Sequence, residues 1–230
     1  MKLGLISDAH GNSAGFDAAV AALRGAGAQQ LLFAGDAVGY YPYVNEVIEG
    51  CRAIGVIAVR GNHDRLLIEP SDDARAVWSR YALDIADRVL RRENRAWLAA
   101  LPAQWRVTIG GRRILLCHGS PWSDEEYVYP DASLEPLLAC CADIVILGHT
   151  HIPLVARVGE VLVVNPGSCG QPRDYHPGAS CALLDTDTCQ ASILHVEYDI
   201  EAFVRQLTRA SVPDSFTRIL TRTRSPAQAQ

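Results

Sequence analysis

Short apolar runs alternate with helical patterns at the start of the chain. The runs at 3–6, 31–34 and 56–59 have the length of buried strands, and the segments 12–24 and 44–54 between them repeat apolar residues at helical spacing. Strands that alternate with helices indicate a parallel sheet covered by helices. The sequence therefore predicts an α/β fold.

The rest of the chain adds a helical segment and more strands. Residues 65–101 carry no strand pattern and are predicted to be helical, and a hairpin is predicted around Gly110-Gly111. Helices are also predicted over 134–141 and 200–208. Further strands are predicted at 107–109, 113–117, 144–147, 154–158, 161–164, 181–184 and 191–196.

The composition is that of a globular chain with one domain. Its 230 residues are 49% hydrophobic and 20% charged, so they can form a substantial core. We expect a single domain over 1–212, in which 65–101 is a helical insertion that lies over or beside the functional site. The tail over 213–230 is expected to be disordered at its polar end, 225–230.

Charge and cysteine content narrow the class of function. The net charge of −5 argues against extended nucleic-acid binding, which requires clustered lysine and arginine. The seven cysteines include no C-x-x-C pair, and neither a signal peptide nor a membrane-length apolar stretch is apparent. We therefore expect a cytoplasmic protein that does not associate with membranes.

Polar motifs follow the predicted strands, and five of the seven histidines lie in them. In chain order the motifs are Ser7-Asp8-Ala9-His10, Gly35-Asp36, Gly61-Asn62-His63-Asp64, Cys117-His118-Gly119-Ser120 and Gly148-His149-Thr150-His151. Because open α/β sheets bind ligands at the carboxyl ends of their strands, we expect these loops to meet at one edge.

The side chains of these motifs are those that bind borderline divalent metals. Imidazole nitrogens and carboxylate or amide oxygens are the usual ligands of such ions in proteins. Five loops carry more of these groups than a single ion needs, so the pattern indicates a centre with two metals. Centres of this kind commonly hydrolyse phosphate esters.

The motif set resembles that of the calcineurin-like metallophosphoesterases, in order and in spacing, from residue 1 to about 200. Asn165-Pro166-Gly167-Ser168 is shared with the small bacterial phosphodiesterase-like branch. The resemblance implies a four-layer αββα sandwich that holds two divalent cations bridged by Asp36. The remaining ligands would be Asp8, His10 and His151 for one cation and Asn62, His118 and His149 for the other. Manganese is the metal implied first, with iron, zinc, magnesium or nickel as alternatives.

The resemblance also implies roles around the phosphate. A hydroxide held by the two metals would attack phosphorus, while His63 would protonate the leaving alkoxide or stabilise the transition state. The segment 37–41 lacks the Asp-Arg-Gly of the protein-phosphatase branch. Arg173 is therefore a candidate phosphate contact, because guanidinium groups match phosphate geometry. Asn12 and Tyr40 are further candidate substrate contacts.

We expect the substrate to be a small phosphodiester, such as a cyclic or dinucleotide-type phosphate. The alternatives are a phosphomonoesterase, a dinucleoside polyphosphate hydrolase and, outside the enzymes, a non-catalytic metal-binding scaffold like the retromer subunit that shares this fold. That subunit lacks the histidine equivalent to His63, whose presence here favours an enzyme. The resemblance is also compatible with a homo-oligomer.

Overall fold

Two mixed β-sheets form the centre of the protein in a computed structural model, which describes residues 1–70 and 77–223. The strands of the first sheet are β1 Lys2–Ile6, β2 Gln30–Phe33, β3 Ile57–Ala58, β9 Ala179–Asp185 and β10 Gln190–Val196. Their order is β10-β9-β1-β2-β3, with β1, β2 and β3 parallel and with β9 antiparallel to both of its neighbours. The predicted parallel opening is confirmed.

The second sheet combines a hairpin with a parallel core. Its strands are β4 Gln104–Ile109, β5 Arg112–Cys117, β6 Ile144–Ile146, β7 Leu154–Val158 and β8 Val161–Asn165. Their order is β4-β5-β6-β8-β7, with β5, β6 and β8 parallel and both edge strands antiparallel. The hairpin turns at Gly110-Gly111, as predicted.

Apolar side chains fill the space between the two sheets. Leu5 and Leu32 of the first sheet belong to the same buried cluster as Leu116, Ile146 and Val164 of the second. Successive side chains of a strand point to opposite faces of the sheet, so Leu115 of β5 lies on the outer face of the second sheet. Both faces of each sheet are therefore covered, which explains the continuous apolar runs in the sequence.

Helices cover the outer face of the first sheet. α1 (Ser13–Gly25) and α2 (Val44–Ala53) place Phe16, Leu23 and Ile48 in a cluster with side chains of β2. The outer face of the second sheet is covered by a 3₁₀ helix, Glu135–Cys140, rather than the predicted helix over 134–141. Pro136 near its start and the left-handed backbone of Cys141 at its end keep this element short. The layers follow the order expected of the αββα sandwich.

The helical segment begins earlier than predicted, because α3 (Asn62–Ile68) starts at Asn62. It continues in α4 (Trp78–Tyr81), α5 (Leu83–Val89) and α6 (Arg92–Ala100). No helix of the described residues is long and apolar enough to cross a membrane.

The tail expected from residue 213 onward is folded up to the last described residue. After α7 (Ile200–Arg209) come α8 (Asp214–Thr217) and a 3₁₀ turn, Arg218–Thr221. Phe216 and Leu220 join Tyr40 and Tyr41 in one apolar cluster, which holds this segment against the body of the protein. The predicted disorder over 225–230 falls outside the described residues.

Candidate metal centre

The ligand-bearing loops meet at one end of both sheets, where backbone hydrogen bonds connect them. The amide of Asp8 donates to the carbonyl of Gly35 at 2.9 Å, and that of His10 donates to Asp36 at 3.0 Å. The amide of Gly148 donates to the carbonyl of His118 at 2.7 Å. The loops at the carboxyl ends of the strands are therefore fixed to one another by main-chain contacts.

Several expected ligands have a left-handed backbone conformation. The φ angles are 55° at Asp8, 49° at His10, 60° at Asp36, 67° at His149 and 58° at His151. Such conformations cost on the order of 1–3 kcal/mol at a residue other than glycine. Because these strained conformations are concentrated at one site, we infer that the backbone there positions the ligand side chains at a cost in folding stability.

Asp64 organises the neighbouring loop from the inside. Its buried carboxylate accepts hydrogen bonds from the amides of Asp36, Ala37, Val38 and Gly61, at 2.9 to 3.2 Å. The side chain is thus fully engaged with the main chain and has no hydrogen bond to His63, its neighbour in sequence.

The first group of predicted ligands converges on a buried point. The Nε2 atoms of His10 and His151 lie 3.0 Å apart, and that of His151 lies 3.4 Å from Asp8 Oδ1. Burial raises the pKa of Asp8, but the neighbouring His151, His10 and His118 outweigh it and hold the pKa below its usual value. The group therefore combines a carboxylate with two imidazoles, and Asp36 Oδ2 lies 3.7 Å from His10 Nε2.

The second group surrounds His118. Its Nε2 atom lies 3.0 Å from Asn62 Oδ1 and 3.3 Å from Asp36 Oδ2. Burial disfavours charge on the ring, yet the carboxylates of Asp36 and Asp8 raise the pKa of His118 to about 10. This position therefore strongly favours positive charge. Asp36 Oδ2 faces both groups, as a bridging ligand would.

His149 lies beside the second group rather than within it. Its ring is 5.0 Å from that of His118, and its Nε2 atom lies 3.3 Å from the carbonyl oxygen of Glu125. The ring of Tyr127 covers it at 3.9 Å. Of the seven predicted ligands, six have side chains that converge, while the seventh is oriented toward the neighbouring loop.

The side-chain atoms of the cluster are suitable ligands for divalent cations. The Nδ1 atoms of His10, His118 and His151 donate to the carbonyls of Val38, Ala34 and Gln171 at 2.9, 2.8 and 2.6 Å, so in the neutral rings each Nε2 is an acceptor. These acceptors face one another and carboxylate oxygens. Asp8 Oδ1 is buried and accepts no hydrogen bond from the described residues. Clustered buried acceptors without donors are stabilised by a shared cation.

His63 lies against this cluster in an aromatic environment. Its ring is 4.5 Å from Tyr81, 4.7 Å from His10 and 5.1 Å from Tyr40, and its Nε2 atom is 4.0 Å from Asp36 Oδ2. Gly39, at φ 104°, allows this approach, because a Cβ there would lie 2.5 Å from His63 Nδ1. Burial lowers the pKa of His63 to about 3, so the ring is neutral.

Asn12, a predicted substrate contact, lies behind the site. Its side chain accepts from the amide of Gly15 at 2.9 Å and donates to the carbonyl of Gly170 and to Tyr198 Oη, each at 2.8 Å. The whole amide group is therefore used to cap α1 and to join it to the loop after β8. The Asn12 side chain thus serves contacts within the protein, and its role as a substrate contact stays a prediction.

Tyr40 and Arg173 contact each other at the edge of the site. The guanidinium of Arg173 donates to Tyr40 Oη and to Gln171 Oε1, both at 3.3 Å. Tyr40 is largely buried, and its ring packs 4.7 Å from His10. Arg173 thus contacts Tyr40, which forms part of the wall of the cluster, and its role as a phosphate contact stays a prediction.

A second histidine group lies on the surface. His176 and His195 stack at 4.4 Å, and their Nδ1 atoms lie 3.5 and 3.7 Å from Asp174 Oδ2. His195 alternates with apolar neighbours along β10 and points outward. Both rings are exposed, and this group is separate from the buried cluster.

Two tyrosines near the cluster were not predicted as site residues. Tyr81 belongs to the helical segment, and Tyr127 lies in the loop between β5 and the 3₁₀ helix. Tyr127 and Tyr129 form a Tyr-x-Tyr pattern shortly after the His118 motif. This pattern could have indicated a site residue in the sequence, because it places two aromatic rings on one side of an extended loop.

A family model described as the calcineurin-like phosphoesterase superfamily domain matches residues 1–189. The chain belongs to this superfamily. It is 27% identical to the phosphodiesterase YfcE of Escherichia coli over 207 residues, which cover 85% of this chain and 93% of YfcE. This match supports the small phosphodiesterase-like branch.

Other similar proteins extend over nearly the whole phosphoesterase chain. It is 30% identical over 230 residues to an uncharacterized protein of Methanocaldococcus jannaschii, covering 92% of this chain and 94% of the relative. The crystal structure of a metallophosphoesterase from Sphaerobacter thermophilus superimposes with a TM-score of 0.82 at 29% identity, covering 97% and 99% of the two chains. A hypothetical protein from Pyrococcus horikoshii has the same fold, with a TM-score of 0.83 at 24% identity.

Proposed function

We propose that this phosphoesterase hydrolyses a small phosphodiester with the help of two divalent cations. The observation that carries the proposal is the convergence of buried acceptors, with His10 Nε2 and His151 Nε2 only 3.0 Å apart. When bound, two cations would activate a water molecule and neutralise charge on the phosphoryl oxygens.

The chain's own residues divide into two ligand sets around Asp36. Asp8, His10 and His151 would hold one cation. Asn62 and His118 would hold the other, together with His149, which the superfamily resemblance adds and whose ring lies 5.0 Å from His118. The carbonyls that accept from Nδ1 fix the rings of His10, His118 and His151, so each presents Nε2 to the ion.

His63 would act on the substrate rather than on the metals. Because burial keeps its ring neutral, it has one N–H group that can donate to a phosphoryl or leaving oxygen. His63 Nε2 lies 4.0 Å from Asp36 Oδ2 and so faces the cluster, and this nitrogen would make such a contact. The packing of Tyr81 and Tyr40 orients the ring, in place of the carboxylate missing from segment 37–41.

Arg173 is the phosphate contact that we propose. Its backbone amide donates to the carbonyl of His151 at 3.1 Å, so the residue is attached to a ligand loop. Tyr40 and Gln171 hold the guanidinium through single hydrogen bonds, which leave other N–H groups for a phosphoryl oxygen. Tyr40 is therefore a positioning residue.

YfcE is named as a phosphodiesterase, and this name favours a diester over a monoester for the present chain. The phosphomonoesterase alternative has one observation in its favour, because Arg173 places a guanidinium beside the cluster, where it could bind a dianion. The absence of the Asp-Arg-Gly segment favours the diester, which carries a single charge.

The test is Mn²⁺-dependent hydrolysis of bis(p-nitrophenyl) phosphate beside p-nitrophenyl phosphate, with chelator-treated protein as the control. A higher kcat/KM on the diester, lost in the chelated control, would support the proposal. Preference for the monoester would assign the alternative activity. Failure to hydrolyse either ester, in protein that holds two metals per chain, would contradict a general phosphoesterase and favour the scaffold.

A further inference from the structure

A cavity of about 240 Å³ lies beside the cluster, between the helical segment and the loop after β5. It is lined by Asn62, Leu66, Val77, Tyr81, Glu125, Tyr127 and His149. Asn62 and His149 belong to the proposed second ligand set. A group bonded to a phosphate at the metal centre could therefore extend directly into this cavity.

Two tyrosines connect the cavity to the reacting groups. The ring of Tyr81 lies 4.5 Å from the ring of His63, which is the proposed hydrogen-bond donor to the substrate. The ring of Tyr127 lies 3.9 Å from that of His149. Tyr81 and Tyr127 come from different parts of the chain, and each contacts a different histidine of the proposed metal centre.

The residues that line the cavity carry little positive charge of their own. None of the described residues that line it is a lysine or an arginine. Glu125, the charged lining residue, is paired with Arg65 at 2.6 Å, and Arg65 also binds Asp124. Arg173, which interacts with the Tyr127 hydroxyl, is the nearby cation and is assigned above to the reacting phosphate, so the remaining lining suits an uncharged ester group better than a second phosphate.

Tyr127 is unusually open to solvent for a side chain that covers a buried histidine. It is 47% exposed, and Tyr129, which stacks on it at 5.5 Å with planes 7° apart, is 41% exposed. Tyr127 and Tyr129 therefore form a pair of parallel, partly exposed aromatic rings, of which Tyr127 lines the cavity. Planar aromatic groups bind to aromatic side chains by stacking or by edge-to-face contact.

We infer that the substrate is a phosphodiester with at least one planar aromatic ester group, either an aryl group or a nucleoside, which binds in this cavity against Tyr81 and Tyr127. The inference rests on the proposed function and specifies the class of its substrate. It assigns Tyr81 and Tyr127 as specificity-determining residues.

The first test measures binding, without turnover, in the full-length protein loaded with Mn²⁺. Dissociation constants of methyl phosphate, phenyl phosphate and thymidine 5′-monophosphate are compared by calorimetry, because these esters share the phosphate and differ in the attached group. We expect phenyl phosphate to bind at least about tenfold more tightly than methyl phosphate. Tighter binding of the thymidine ester than of the phenyl ester would identify a nucleoside, and equal binding of these two would identify the ring alone.

Variants connect the preference to the cavity. Tyr127→Leu, which keeps an apolar side chain without a ring, should reduce the ratio of phenyl to methyl affinity to nearly one. Trp105→Leu is the matched control, because Trp105 is an exposed aromatic residue of β4 outside the cavity, and it should leave the ratio unchanged. Equal affinities of methyl and phenyl phosphate in the unmodified protein would overturn the inference.

Hydrolysis of bis(p-nitrophenyl) phosphate separates the two proposals. Turnover without any preference for the ring would retain the phosphodiesterase and reject the aromatic cavity. Ring-dependent binding without turnover of any ester would retain the cavity and reject the catalytic proposal.

Discussion

The Nε2 atoms of His10 and His151 lie 3.0 Å apart, with each ring fixed by a hydrogen bond from Nδ1 to a backbone carbonyl. Burial keeps the pKa of His151 well below its usual value, so the Nε2 atom of that ring is an acceptor. A lone pair held at this distance from a second imidazole and from Asp8 needs a positive partner. A cation at this point would stabilise the folded state over the unfolded chain.

Removal of divalent metal should therefore lower thermal stability. A ligand at a hundred times its dissociation constant stabilises a protein by about 2.7 kcal/mol, so we expect treatment with a chelator to lower Tm by about 5 °C or more. Restoring Mn²⁺ should recover the loss. Melting curves that coincide with and without chelator, measured by circular dichroism, would contradict this prediction.

Asp36→Asn should reduce metal binding. Asp36 Oδ2 lies 3.3 Å from His118 Nε2 and 3.7 Å from His10 Nε2, so one oxygen serves both groups, and an amide lacks its negative charge. Elemental analysis should give fewer than two metals per chain. Asp131→Asn, at an exposed position, is the control and should retain the content of the unmodified protein. Full occupancy of Asp36→Asn would exclude a bridging role.

His63→Ala should reduce kcat by about two orders of magnitude or more, because a positioned donor or acid contributes roughly that much. The metal content should remain that of the unmodified protein, since His63 is not a proposed ligand. The loss should be greatest for an alkyl leaving group and smaller for nitrophenyl, measured with a series of diesters. An unchanged rate on the poorest leaving group would disprove the role.

Asp64→Ala should destabilise the protein by about 3 kcal/mol or more, because it leaves four buried amides without their acceptor. Urea denaturation gives the change in the free energy of unfolding. Glu201→Ala, which removes an exposed carboxylate paired with Arg205, should cost about 1 kcal/mol or less. Similar losses for the two variants would show that the loop is not held by Asp64.

Because the backbone of His10 is left-handed, we expect glycine to be less destabilising than alanine at this position, the reverse of the usual order in a helix. His10→Gly should melt about 1–3 °C above His10→Ala, because alanine is strained at φ 49° and glycine is not. At the exposed helical position 21, Ala21→Gly should have the usual destabilising effect. Both comparisons use metal-free protein. A lower Tm for His10→Gly than for His10→Ala would contradict the strain.

The sequence predicted the positions of the site residues better than their surroundings. The buried strands and the motifs that follow them have strong periodic and compositional signals, so the meeting of Asp8, Asp36 and His118 could be expected. The carbonyls of Val38 and Gln171 that fix the histidine rings could not, because any side chain is compatible with a carbonyl at those positions.

The loops and the end of the chain were predicted less well. The direction of His149 depends on the loop that carries Glu125 and Tyr127, and this loop has no periodic pattern. The segment after residue 212 is polar except for a few apolar residues such as Phe216, so its composition resembles that of a tail. Its fold depends on contacts with distant residues, which local patterns do not contain.

Phe216 packs 5.6 Å from Tyr40, and its carbonyl accepts from Tyr41 Oη at 3.0 Å. The wall beside His10 is therefore completed by residues that the ribosome adds more than 200 positions later. A chain that ends at residue 212 contains every proposed ligand and all ten strands but lacks this support. We expect such a chain to bind metal without positioning Arg173 for a substrate, so truncated translation products would take up metal without full activity.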